Sequence, residues 1–181
     1  MKSLPYILPL LLLCSCSWFG TGVKPQRPSN SHEPDTAREA MLKGNQAFAE
    51  QAAGQLREWA QAINDTLTGQ RLFELHENGC WIRVMSTGEG EPATEGQMVE
   101  IAYTLELPDE SIAEEREMSV KAGRKQTLDA IDYALTLLPP DSEAEILAPW
   151  QLLYGRQGSE NVPPYSQARI RLKIKDRSQA R

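Results

Sequence analysis

Cysteine and histidine, the side chains that most often perform covalent or metal chemistry, are few in this chain. It has three cysteines and two histidines. His32 and His76 lie far apart, and no second ligand stands at the spacing of a metal site. A glycine-rich phosphate loop is also missing. We therefore expect no metal, no cofactor and no nucleophilic catalysis. We interpret both histidines as surface residues and Cys80 as a buried strand residue.

The N-terminal stretch has the composition of an export signal. Lys2 precedes an apolar run at residues 4–13. The run is shorter than the roughly 20 apolar residues that span a membrane. A short apolar run behind a positive start is typical of a signal peptide. We predict that residues 1–15 are a lipoprotein signal peptide.

The residues at the end of this signal predict how the mature protein is attached to a membrane. Residues 13–16, Leu-Cys-Ser-Cys, resemble the bacterial lipobox, with leucine three residues before the acceptor and a small residue directly before it. They predict lipid attachment at Cys16 and a lipid-anchored location in the bacterial cell envelope, facing the periplasm. The alternative is ordinary cleavage near Ser17 or Gly20 without a lipid.

Two segments of different composition follow. Residues 16–35 are rich in Ser, Pro, Gly and Asn, which predicts a flexible tether. Residues 36–70 predict one amphipathic helix that ends at Thr68-Gly69, because apolar residues recur at helical spacing: Met41, Phe48, Ala52, Leu56, Trp59 and Ile63. This stripe either packs on the chain's own domain or forms a homodimer through residues 36–66.

From residue 71 the pattern alternates with a period of two, which indicates strands. The clearest is 96–107, where Val99, Tyr103 and Leu105 share one face. Strands around one short helix predict an α+β domain over residues 71–181 with a mainly antiparallel sheet. The other strands are predicted at 79–85, near 118–120, at 143–147 and at 168–175, and the helix at 128–138.

The most specific pattern lies between residues 138 and 174. It contains Pro-Trp-Gln-Leu-Leu-Tyr-Gly at 149–155, Val-Pro-Pro at 162–164 and an alternating strand after them. Together with the strand at 96–107, this order resembles the FKBP-type peptidyl-prolyl isomerases over roughly residues 79–176. The resemblance implies an FKBP-like curved antiparallel sheet wrapped on one short helix. The predicted N-terminal amphipathic helix precedes this domain.

The resemblance implies a binding pocket for proline-containing polypeptides, without a nucleophile or an acid–base pair. Tyr154 matches a family tyrosine that hydrogen-bonds ligand, and Tyr103 matches the strand tyrosine. For both, the alternative is a core residue with a satisfied hydroxyl group. The pocket implied in this way is formed by Tyr103, Ala113, Glu114, Leu128, Ile131, Tyr154, Val162 and Ile170.

Three aromatic walls of the family are replaced in this chain. Ile131 stands where the family has a tryptophan, and Ile170 and Ala113 stand where it has phenylalanines, which implies a shallower pocket. Two functions follow. One is a peptidyl-prolyl cis-trans isomerase that assists the folding of exported proteins. The alternative is a catalytically weak or inactive FKBP-like module that acts as a chaperone or as an envelope interaction protein.

The net charge of the chain and the order of its segments limit the classes of binding partner that we expect. The formal net charge is −6, and an acidic chain without a basic cluster is a poor candidate for nucleic-acid binding. The basic residues near the C-terminus alternate along a strand and predict its solvent face. The layout as a whole resembles exported bacterial FKBP-like lipoproteins, including those associated with gliding motility.

Overall fold

The computed structural model describes residues 36–175, so the predicted signal peptide, Cys16 and the tether lie outside the described residues. The six strands within this range form one antiparallel sheet in the order β1-β2-β5-β6-β3-β4. The predicted α+β fold, with a curved antiparallel sheet on a short helix, is confirmed. The elements are α1 (Thr36–Thr66), β1 (Glu74–Leu75), β2 (Trp81–Ser86), β3 (Met98–Glu106), β4 (Ile112–Lys121), α2 (Asp129–Leu135), β5 (Glu143–Ala148), a 3-10 helix (Trp150–Leu152) and β6 (Ala168–Lys175).

The core lies between one face of the sheet and α2. Side chains on β3 alternate, so Ile101 and Leu105 are fully buried while their neighbours reach the other face. A helix of seven residues is not stable alone. Ile131 and Leu135 are also fully buried, and burial of each such side chain contributes about 1.5–3 kcal/mol. Packing on the sheet therefore stabilises α2.

The other face of the sheet carries a row of ion pairs. Arg83 on β2, Glu145 on β5 and Arg171 on β6 lie opposite one another across the ladder. Arg83 Nη2 lies 2.5 Å from Glu145 Oε2, and Arg171 Nη2 lies 2.9 Å from Glu106 Oε2. Arg169 also pairs with Glu106. Pairing offsets the cost of removing the buried carboxylates from water. The basic residues of β6 that were predicted to form a solvent face are therefore partly exposed and ion-paired.

β4 is much longer than predicted. The sequence indicated only a short strand near Met118 and Val120, whereas the structure has ten residues from Ile112 to Lys121. Charged residues occupy much of this strand, which hides the apolar alternation that reveals β3. The strand forms because it pairs with the whole length of β3.

The C-terminal half of α1 packs on the sheet. Leu56 is fully buried and contacts Phe73 and Leu147. The apolar stripe therefore packs on the chain's own domain in this half, which is one of the two predicted alternatives. Met41 in the N-terminal half is 67% exposed. Dimerisation through residues 36–66 stays a prediction.

Asn64 joins the end of α1 to the chain before β1. The backbone N–H of Phe73 donates to Asn64 Oδ1 at 2.8 Å, and Asn64 Nδ2 donates to the Phe73 carbonyl at 3.1 Å. The helix ends two residues later, where the Thr66 hydroxyl donates to the Ile63 carbonyl at 2.7 Å. This end precedes the predicted one at Gly69, whose φ of 70° is not helical.

Replacing Asn64 with alanine removes both hydrogen bonds to Phe73. Each such bond contributes about 1 kcal/mol, so we expect the free energy of unfolding to fall by about 2 kcal/mol. Urea denaturation followed by circular dichroism measures this loss. Asn45→Ala is the matched control because Asn45 is exposed in the same helix. Equal effects of the two substitutions would contradict the role given to Asn64.

Candidate active site

β3 and β4 bring three polar side chains to the inner face of the sheet. Tyr103 lies directly opposite Arg116 in the ladder, and Leu105 lies opposite Glu114. Because side chains alternate along a strand, Glu114 and Arg116 share the face of Tyr103. The register of the two strands therefore places a phenol, a carboxylate and a guanidinium side by side.

Tyr154 reaches the same place from the segment after β5. The 3-10 helix at Trp150–Leu152 reverses the chain, and the N–H of Gly155 donates to the Trp150 carbonyl at 2.9 Å. Gly155 has a φ of 64°, a conformation that glycine adopts without steric cost. The glycine of the 149–155 motif therefore allows the turn that carries Tyr154.

One carboxylate connects the two tyrosines. The hydroxyl groups of Tyr103 and Tyr154 both donate to Glu114 Oε2, at 3.1 Å and 2.5 Å. Arg116 forms an ion pair with the other oxygen of the same carboxylate. Hydrogen bonds to an ionised acceptor are roughly twice as strong as neutral ones. Glu114 therefore holds the segment after β5 against β3 and β4.

Both tyrosine hydroxyl groups are held in the protonated form. Burial raises the pKa of Tyr154 to about 12, and the hydrogen bond to Glu114 and its negative charge act in the same direction. The pKa of Tyr103 is also raised, first by burial and then by the charge of Glu114. Both phenols are therefore hydrogen-bond donors at neutral pH.

An open cleft of about 340 Å³ lies beside this cluster. Thr127 contributes a hydroxyl oxygen that is buried and has no hydrogen-bond partner in the described part of the chain. Within residues 36–175, no group of three His, Cys, Asp or Glu side chains is placed to hold a metal ion. The cleft is lined by Tyr103, Arg116, Met118, Lys125, Gln126, Thr127, Leu128, Asp129, Leu153 and Tyr154.

The structure brings together four of the eight predicted pocket residues. Tyr103, Leu128 and Tyr154 line the cleft. Glu114 lies next to it and bonds both tyrosine hydroxyl groups. Tyr103 is buried in the core cluster, with 4% exposed, and Tyr154 is half-buried against it. Both also line the cleft, so the two alternatives considered for them coexist.

The other four predicted residues do not line this cleft. Ile131 and Ile170 are fully buried, and Val162 is 2% exposed, because these aliphatic side chains pack completely into the core cluster. Ala113 lies at a β-bulge, since the register of β3 and β4 shifts at this point. It is half-buried against the core. The replaced aromatic walls therefore became core rather than pocket surface.

Several cleft residues were missed from the sequence. Arg116 and Met118 follow Glu114 at intervals of two along β4, so recognising this strand would have placed them on the same face. Lys125 and Thr127 belong to the loop before α2, which gives no periodic signal. Asp132 orders this loop by accepting hydrogen bonds from the N–H groups of Gly123 and Lys125 at 2.8 Å and 3.1 Å.

A larger groove crosses the opposite face of the sheet. Its volume is about 430 Å³, and charged side chains such as Glu145, Arg171 and Lys173 line it. These charges are engaged with one another or with neighbouring strands. The groove therefore belongs to the ion-paired face, and the tyrosine cleft is the better candidate for binding a peptide.

Comparison with known families agrees with this geometry. Residues 89–175 match the family described as FKBP-type peptidyl-prolyl cis-trans isomerase. The chain contains an FKBP-type isomerase domain. The match includes β3, β4, α2, β5 and β6, and therefore all the residues that line the cleft. It supports peptidyl-prolyl isomerase activity, as the sequence predicted.

Solved structures share this fold. The peptidyl-prolyl isomerase of Pseudomonas syringae has 18% identity and a TM-score of 0.57, covering 70% of this chain and 93% of its own. FkpA from Escherichia coli has 19% identity and a TM-score of 0.56, covering 78% and 68%. The N-terminal domain of FKBP42 from Arabidopsis thaliana has 16% identity and a TM-score of 0.52, covering 60% and 91%. No curated protein sequence matches this chain.

The raised pKa of Tyr154 predicts how the FKBP-type domain responds to alkali. Its ordinary value of 10.0 rises to about 12 in the fold, so the protonated phenol stabilises the folded state. This contribution is fully present below pH 10 and is lost as the pH rises from 10 to 12. We expect the difference in unfolding free energy between the natural chain and Tyr154→Phe to shrink across this range.

Chemical denaturation between pH 8 and pH 11.5 measures this difference. The absorbance of tyrosinate at 295 nm, followed as the pH is raised, reports the titration of each tyrosine. The natural chain should show a transition near pH 12 that is absent from Tyr154→Phe. If Tyr154→Phe instead lacks a transition near pH 10, Tyr154 titrates at its ordinary pKa and does not bond Glu114 as described.

Proposed function

We propose that this protein catalyses cis-trans isomerisation of X-Pro bonds in exported polypeptides, anchored at the bacterial cell envelope by a lipid on Cys16. The observation that carries the catalytic part is the open cleft with Tyr103 and Tyr154 on one wall. The subtype that the sequence resembles, the exported FKBP-like lipoproteins, supports the cellular part. The lipobox at residues 13–16 carries that resemblance.

The reaction needs a binding site rather than a reactive side chain. Rotation about the X-Pro bond is slow because amide resonance creates a barrier of about 18–20 kcal/mol. The twisted amide has lost this resonance, so a site that binds it better than the planar form lowers the barrier. Leu128, Leu153 and Met118 give the cleft an apolar part that accepts the proline ring and keeps water away from the amide.

Tyr154 and Glu114 position the substrate in this proposal. A phenol donates one hydrogen bond and accepts others. Tyr154 therefore either accepts from a substrate N–H while it donates to Glu114, or turns its hydroxyl from Glu114 to a substrate carbonyl. Glu114 remains compensated in the second case, because Tyr103 and Arg116 still bond it.

Burial of Ile131 and Ile170 bears on the alternative of an inactive module. These residues are fully buried in the core, and the cleft beside the two tyrosines is open. An open cleft next to the two tyrosines favours turnover, whereas a filled one would have favoured a module that only binds. The flexible apolar side chains of Met118, Leu128 and Leu153, which do line the cleft, predict broad acceptance of X-Pro sequences with modest affinity.

The enzymatic proposal predicts that the full chain accelerates isomerisation of X-Pro peptides and that Tyr154→Phe lowers kcat/KM about tenfold. The loss follows from one positioned hydrogen bond, worth about 1.4 kcal/mol. A protease-coupled assay with a set of Ala-X-Pro-Phe peptides measures it. Tyr133→Phe is the matched control, because Tyr133 lies on α2 and its ring contacts His76.

Two outcomes would contradict this proposal. No acceleration by a chain that unfolds cooperatively would favour the weak or inactive alternative. Equal losses in Tyr154→Phe and Tyr133→Phe would show that the cleft is not the site.

Attachment to the membrane rests on the N-terminal sequence. In the described residues, no helix is long and apolar enough to cross a membrane. A lipid on Cys16 would provide the anchor, since each buried methylene contributes about 0.8 kcal/mol. We expect Cys16→Ser to abolish incorporation of radiolabelled palmitate and to move the protein from the membrane fraction to the soluble one. Cys80→Ser is the control, because Cys80 is buried in the domain. Labelling that survives Cys16→Ser would exclude this anchor.

A further inference from the structure

A second cleft lies between α1, the turn that joins β3 to β4, and the loop before β6. Its volume is about 360 Å³. Two aromatic rings, Trp59 and Tyr165, contribute to it together with Pro108. We call it the α1 cleft. It is lined by Gln55, Trp59, Pro108, Tyr165, Ser166 and Gln167.

Tyr165 is held rigidly although it is 44% exposed. Its ring contacts those of Phe48 and Trp150 edge-on, with centroids 5.1 Å and 5.0 Å apart. Its backbone N–H donates to the Gly155 carbonyl at 3.0 Å. Edge-to-face aromatic pairs contribute about 0.5–1.5 kcal/mol beyond their burial. Tyr165 therefore offers a fixed aromatic surface to a ligand at little cost in entropy.

Amide groups lie next to these rings. Gln167 Nε2 donates to the Ala52 carbonyl at 3.0 Å and to Gln55 Oε1 at 3.3 Å. Gln55 thus uses its oxygen within the protein, and its amide nitrogen is the group that it can offer to a peptide carbonyl. The α1 cleft therefore combines apolar walls with polar groups that suit an extended backbone.

Acidic residues neighbour two of the residues that line the α1 cleft. Asp109 and Glu110 directly follow Pro108 in the turn between β3 and β4, and Glu58 lies one helical turn from Gln55 on α1. Asp109 Oδ1 accepts hydrogen bonds from the N–H and the hydroxyl group of one serine, at 3.1 Å and 2.6 Å. These bonds lower the pKa of Asp109. These acidic residues therefore carry negative charge that complements a cation on the ligand.

We propose that the α1 cleft binds an extended, proline-containing peptide segment with a Lys or Arg beside the proline. Such segments adopt the polyproline II conformation, which has no internal hydrogen bonds and exposes its carbonyl groups. Aromatic-lined grooves recognise this conformation because little entropy is lost on binding. The rings of Trp59 and Tyr165 provide such walls, the amide nitrogen of Gln55 donates to a peptide carbonyl, and the acidic residues beside the cleft select the basic residue. Binding here does not require turnover in the isomerase cleft.

Fluorescence anisotropy of the full chain with a labelled peptide, Arg-Ala-Pro-Ala-Ala-Pro-Ala-Ala, tests this proposal. We expect binding that weakens at least tenfold when both prolines are replaced by alanine at the same charge. Replacing the arginine with glutamate should weaken it about tenfold, and added salt should weaken the binding of the original peptide.

Variants of the chain locate the site. Tyr165→Ser should weaken binding at least tenfold, whereas Tyr165→Phe keeps the ring and should restore it. The double variant Glu58→Lys, Glu110→Lys changes two exposed acidic side chains, leaves the hydrogen bonds of Asp109 intact and should weaken binding about tenfold, which keeps the test valid if Tyr165→Ser unfolds. Met41→Ser, an exposed apolar change elsewhere on α1, should have no effect.

Tyr154→Phe separates the two clefts. It should lower isomerase activity while the affinity for this peptide stays the same. Loss of peptide binding in Tyr154→Phe would place the peptide in the isomerase cleft and overturn the proposal. Unchanged binding in the Glu58, Glu110 double variant, or equal binding of the alanine peptide, would also overturn it.

Discussion

The packing of α2 against the sheet is the constraint on which the site depends. This helix has only seven residues, and it is ordered because Ala130, Ile131, Ala134 and Leu135 are buried against the sheet. Its N-terminal end places Leu128 in the cleft. Asp132 on the same helix also fixes the loop that brings Lys125 and Thr127 to the rim. The apolar contact and the polar one therefore act together to shape one wall.

Glu114 organises the wall of the isomerase cleft that lies opposite α2. Its carboxylate bonds a guanidinium on the same strand, a phenol on the paired strand β3 and a second phenol that lies 40 residues further along the chain. Partial burial makes these bonds stronger than they would be in water, and it would make an unpaired Glu114 costly. The cluster is therefore well suited to persist while a substrate exchanges for one of its hydrogen bonds. Polar groups that are already oriented need little reorganisation during isomerisation.

The replacement of aromatic walls by aliphatic residues changes the role of those positions. Ile131 and Ile170 are small enough to be fully buried in the core. The surface of the cleft is formed instead by the loop at 125–129 and by β4. Aromatic surface is found elsewhere, where Phe48 of α1 meets Trp150 and Tyr165. α1 thus packs on the domain through Phe48 as well as through its C-terminal half, and it forms one side of a second cleft.

The sequence alone determined the elements whose pattern is local. β3 and β6 alternate clearly, and the 149–155 motif carries both the turn at Gly155 and Tyr154. Most of β4 could not be recognised in the sequence, because its charged residues form a strand only through pairing with β3. The tertiary structure alone decided which side chains meet. It brought Glu114 to both phenols and buried Ile131. Such hydrogen bonds and packing depend on strand register and on the fit of side chains, and neither can be read from the spacing of residues in the sequence.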